Sequence, residues 1–161
     1  MANQTKLTYD AWLGADVLDV GRRLMVGLRP EQQVARAKAV LDLCRSRVSA
    51  VPAVDHVAAL AADPARWVEA HAAFSAVRDL TLREERNRSS DAYRALLYVA
   101  EIAAKIIYNA SGASAPFDSD SAWWLASNTR TFVQALNDES FSHQAWQALR
   151  HGQPAAPDTA R

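Results

Sequence analysis

Cysteine is nearly missing from this sequence: Cys44 stands alone among 161 residues. An intramolecular disulfide and a cysteine-based zinc cluster are therefore excluded. Cys44 falls on a helical stripe with Leu41 and Val48, where a thiol serves as a small buried hydrophobe. Long apolar runs are missing too, none approaching the roughly 20 residues that span a bilayer. Residues 1–6 lack the charged-then-apolar pattern of a signal peptide, so no membrane association and a cytoplasmic location are expected. Excess charge of one sign is absent, because the formal net charge is zero. Nucleic-acid binders gain most of their affinity by neutralising phosphates, so a nucleic-acid partner is disfavoured. The glycine patterns that cradle nucleotide phosphates do not occur. His56, His71, His143 and His151 form no His-x-x-x-His or Glu-x-x-His set. Neither a metal nor a cofactor is expected.

What is present is helical periodicity in a chain of single-domain length, half of it apolar. Arginine far outnumbers lysine and alanine is abundant, a bias that points to a GC-rich bacterial genome. The first helix is expected to follow Thr8 and to carry Leu13, Val17, Val20, Leu24 and Leu28 on one stripe. Gly14 and Gly21, seven apart on that helix, predict close approach of a neighbour. Pro30 opens a second helix, a short third spans about 54–62, and Asp63-Pro64 reads as N-cap and first residue of a fourth. The segment from about 91 to 110, capped by Ser89 or Ser90, is apolar almost all round, which marks a central helix. Gly112 ends it, Asp118 or Asp120 caps a sixth helix, and a seventh runs from about 138 to 150. The predicted architecture is all-α: one domain over 1–150, a bundle of about six to seven helices around the central one. Residues 151–161, with Pro154 and Pro157, are expected to be a frayed tail.

Three groups of residues carry candidate chemistry. Arg66-Trp-Val-Glu-Ala-His71 is an Arg-x4-His pattern that resembles the signature of HEPN-fold ribonucleases, small helical bundles that usually act as dimers. That resemblance implies proton transfer by His71 and phosphate stabilisation by Arg66. The plainer alternative packs His71 beside Trp67 and Phe74 and leaves Arg66 in water. The second group is Arg94, Glu101, Lys105 and Tyr108, a polar strip on the central helix, with Tyr93 and Tyr98 near it. It reads either as a small-molecule site between helices or as the solvent edge of the helix, with Glu101 and Lys105 in the favourable ion-pair order. The third runs from Tyr108-Asn109-Ala110-Ser111-Gly112 through Pro116-Phe117-Asp118 to Trp123-Trp124. Adjacent tryptophans at a helix start cannot both face the core, so one is expected on a partner-binding surface with Phe117 and Asp118.

That last stretch resembles segments of small uncharacterised helical bacterial proteins, some of the toxin-immunity kind. The resemblance implies a binding protein and carries no residue role. With no assured catalytic set and five tryptophans that cannot all be fully buried, a non-enzymatic module of an immunity or regulatory kind is expected, whose partner is another protein. A homodimer is a further expectation. The ribonuclease and the small-molecule-binding bundle stand beside it as alternatives.

Overall fold

Ser90 accepts a hydrogen bond from the Tyr93 N–H, and this cap starts the helix that organises the molecule. In the computed structural model, which describes residues 7–152, that helix is α6, Asp91–Ala110. Eleven of its residues, among them Leu96, Leu97, Val99, Ile102, Ile106 and Ile107, are buried. Their spread around the circumference lets α6 take neighbours on several sides. It packs against α3 (Pro30–Arg45), α4 (Pro52–Ala61), α5 (Ala70–Asn87) and α7 (Trp124–Leu136). The remaining helices are α1 (Tyr9–Leu13), α2 (Val17–Met25) and α8 (Glu139–His151). Two 3-10 turns, Pro64–Glu69 and Ser119–Trp123, precede α5 and α7, and no strand occurs among the described residues. The chain is thus an all-α bundle built around α6.

The first helix departs from the expectation. Thr8 does cap it, accepting from the Ala11 N–H, but the helix stops at Leu13. Gly14 ends α1 in an extended conformation, and Arg130 on α7 donates to its carbonyl. The break separates two short helices with different tasks. α1 inserts Trp12 beneath α7, whereas α2 lays Gly21 against the Ser119–Trp123 turn. Close approach therefore explains Gly21, and helix termination explains Gly14.

Asp63 also differs. It makes no side-chain cap, and residues 64–69 wind as a 3-10 turn before α5 begins. A 3-10 turn advances faster per residue than an α-helix, which shifts the face that α5 turns inward. Ala70, Ala73, Val77 and Thr81 form the buried face of α5, Trp67 and Phe74 are half-buried, and His71, expected to pack beside those two rings, is exposed. At the other end α8 reaches His151, and Gly152 closes it with a positive φ, so the helix extends just past its expected end. The tail expected beyond it lies outside the described residues.

Cys44 is fully enclosed by core side chains. Burial pushes its thiol well above the ordinary range, which keeps it protonated and unreactive.

Candidate interaction surface

The polar strip of α6 turns out to be one side of a helical hairpin seam. α5 and α6 are joined by only Arg88, Ser89 and Ser90, so they run antiparallel, and each strip residue meets a counterpart progressively earlier on α5. Arg94 pairs with Asp91 at 2.6 Å and approaches Glu85 at 3.9 Å, while Tyr98 donates to Glu85. One turn on, Glu101 is buried against Thr81 and Arg78. Lys105 lies over the rings of Phe74 and Phe117, at 5.1 and 5.4 Å from their centroids. Tyr108 meets His71 edge-on at 5.1 Å.

Arg94, Glu101, Lys105 and Tyr108 therefore do not converge on one ligand. Arg94 lines an open groove of about 430 Å³ with Glu85, Tyr98, Thr131 and Gln134, in which neither Glu101, Lys105 nor Tyr108 takes part. A second groove, of about 500 Å³ along α3, includes none of them either. The expected Glu101–Lys105 ion pair is replaced by Lys105 on aromatic faces, where a cation is attracted by the ring quadrupole. Tyr93 is half-buried against the core beside the seam.

What the structure does bring together was divided among three separate sequence patterns. His71 stacks on Phe117 at 5.3 Å with an interplanar angle of 13°. Phe74 and Tyr108 each meet Phe117 edge-on, at 5.0 and 5.5 Å. Phe117 is fixed through its backbone: Asn109 Nδ2 donates to its carbonyl at 3.1 Å, and its N–H donates to Asn109 Oδ1 at 2.8 Å. This paired bond holds the loop after α6 onto the α5–α6 hairpin. His71 thus packs on Phe117 and Tyr108, where Trp67 and Phe74 had been expected as its neighbours. Asn109 had no assigned role from sequence; an amide before a helix-ending glycine is too common to single out.

Arg66 sits on the Pro64–Glu69 turn in solvent, its guanidinium held by both oxygens of Glu69 at 2.8 and 3.0 Å. That contact holds Glu69 below the usual carboxylate range and Arg66 above its own, through the hydrogen bonds first. Arg66 is therefore engaged by a carboxylate and His71 by aromatic rings.

The two adjacent tryptophans divide as their geometry requires. Trp123 is half-buried against the core, and Trp124, at the first position of α7, is 44% exposed. Leu18, 41% exposed, lies on α2 one turn before Gly21, the residue that meets the Trp123 carbonyl. Asp118 and Asp120 are exposed, and Asp118 caps no helix with its side chain, contrary to the capping role expected of this pair; its backbone carbonyl accepts from Ser121 instead. Among the described residues, no group of three or more His, Cys, Asp or Glu side chains is arranged to hold a metal ion. No described helix is long and apolar enough to cross a membrane.

No protein-family model matches this chain, and neither a curated protein nor a solved structure matches it.

Proposed function

We propose that this chain is a non-enzymatic bacterial interaction module, of an immunity or regulatory kind, that binds another protein through the surface around Trp124. The observation that carries this reading is the exposure of Trp124 on a helix whose other side is locked into the core by Leu125, Ala126, Phe132 and Val133. A tryptophan on a rigid helix start loses little conformational freedom when covered, and it offers a large apolar area with an N–H for a partner acceptor. Phe117 and Asp118 belong to the loop that leads into the same helix, and the Asn109 clamp fixes the start of that loop. A catalytic use of Arg66 and His71 has less support, since Arg66 would have to leave Glu69 before it could reach a phosphate.

The test is an affinity capture from the lysate of the encoding organism, comparing wild type, Trp124→Ala and Val68→Ala. Val68 is exposed on the Pro64–Glu69 turn and serves as a control. One stoichiometric protein is expected with wild type and with Val68→Ala. Its recovery should fall about thirtyfold with Trp124→Ala, the equivalent of roughly 2 kcal/mol for a central interface residue. Equal recovery by all three proteins, or no partner at all, would contradict the reading.

A further inference from the structure

Glu101 is the only carboxylate among the buried residues of the described chain, and its surroundings raise a question of proton count. Thr81 Oγ1 lies 2.9 Å from the Val77 carbonyl oxygen and 2.9 Å from Glu101 Oε2. A threonine hydroxyl has one proton to donate. One proton can serve both oxygens only as a weaker, bifurcated bond, and two full-strength bonds need two protons. Arg78 does not supply the second, because it reaches the other carboxyl oxygen, Oε1, at 3.4 Å and is itself 45% exposed. We infer that Glu101 carries the second proton, its O–H donating to Thr81 Oγ1 while Thr81 donates to the Val77 carbonyl, so that the α5–α6 seam is a pH-sensitive joint.

Burial favours the neutral acid at Glu101, whereas the nearby cations favour the ion. Burial is the largest influence and raises its pKa; Thr81, Arg78 and Lys105 oppose it more weakly. Lys105 is drawn towards Phe74 and Phe117, and the other ionisable neighbour on α6 is the Tyr98 phenol, which bonds Glu85. The charges that act most on Glu101, Arg78 and Lys105, come from α5 and α6 and not from α3, α4, α7 or the two 3-10 turns that also pack on α6. When the carboxyl ionises, the shared proton is lost to solvent. The single Thr81 proton must then serve either the helix carbonyl or the carboxylate, and one contact across or along α5 is weakened.

The sign of the pH effect follows. A folded-state pKa above the unfolded one means that the native state binds more protons between the two values. The stabilising contribution is present below the unfolded glutamate value and is lost as pH rises through the folded one. Glu101→Gln retains a neutral donor and should not share this loss.

Two readouts test the joint. The first is the 13C carboxyl resonance of Glu101 in the wild-type protein, followed from about pH 4 to about pH 8, against an ordinary glutamate near 4.3. The second is denaturant unfolding of wild type and Glu101→Gln over that range. Glu101 should titrate above the ordinary value, and the folding constant of the variant relative to wild type should rise about threefold or more with pH. A Glu101 resonance that titrates at or below the ordinary value overturns the proposal, whatever the unfolding data show. Should the variant fail to fold, the wild-type titration alone decides.

Discussion

Trp12→Ala is expected to destabilise the protein by about 3–5 kcal/mol, the range for deleting a large buried aromatic. Trp12 is fully buried, stacks on Trp146 at 5.6 Å, and donates through Nε1 to the Ala126 carbonyl at 2.8 Å. α1 has five residues, far below the length at which an isolated helix is stable, so it is held by tertiary contacts, and Trp12 is its one buried side chain, beside the Tyr9 stack on His143 and the Arg130 bond to Gly14. Its removal leaves a cavity beside α8, and the Ala126 carbonyl loses its second donor while keeping its bond within α7. Trp12→Phe restores part of the volume and none of the hydrogen bond, and should cost less, about 1–3 kcal/mol. Urea unfolding reads both: the midpoint falls while the slope is unchanged. A loss below about 1 kcal/mol for Trp12→Ala would mean that α1 does not anchor through this residue.

Gly21→Ala should also destabilise, by about 2–3 kcal/mol or more, although alanine is the better helix former by about 1 kcal/mol. A β-carbon at position 21 would stand 2.1 Å from the Trp123 carbonyl oxygen and 3.1 Å from its carbon. Both atoms belong to backbone, so relief requires α2 to move away from the turn that precedes α7. Gly14→Ala is the matched control. Its added carbon meets only the Asp10 and Ala11 carbonyl oxygens, at 3.4 and 3.5 Å, and its φ of −90° suits any residue. It should be close to neutral. Thermal unfolding distinguishes the two, and a Gly21→Ala protein as stable as wild type would contradict the tight α2 contact.

The contrast between these glycines shows what the sequence could and could not say. Both sit seven apart in a periodic stripe, and periodicity cannot distinguish a glycine that admits a neighbour from one that ends a helix. The decision lies in tertiary contacts, with the Trp123 backbone for one and Arg130 for the other. The central position of α6 was legible because apolar residues on nearly all sides leave few other options. The polar strip of the same helix was not, because charges at helical spacing look alike whether they face water, a ligand or a second helix. Only the three-residue link to α5 turns Arg94, Glu101 and Lys105 into a seam with Glu85, Thr81 and Phe74. The aromatic group of His71, Phe74, Tyr108 and Phe117 draws on three distant segments, and no local pattern announces it. The tryptophan pair was readable for a simpler reason. Successive residues on a helix point about 100° apart, so two adjacent bulky rings cannot both aim at the centre of a one-sided core.

The most direct test of the proposed interaction surface is site-specific photo-crosslinking in living cells of the encoding organism, with a photoreactive phenylalanine at position 124 or at position 68. Both positions are exposed, and they lie on different turns of the bundle. The account predicts one discrete crosslinked protein from position 124 and none from position 68. The same product from both positions, or none from position 124, would contradict a partner-binding role for Trp124.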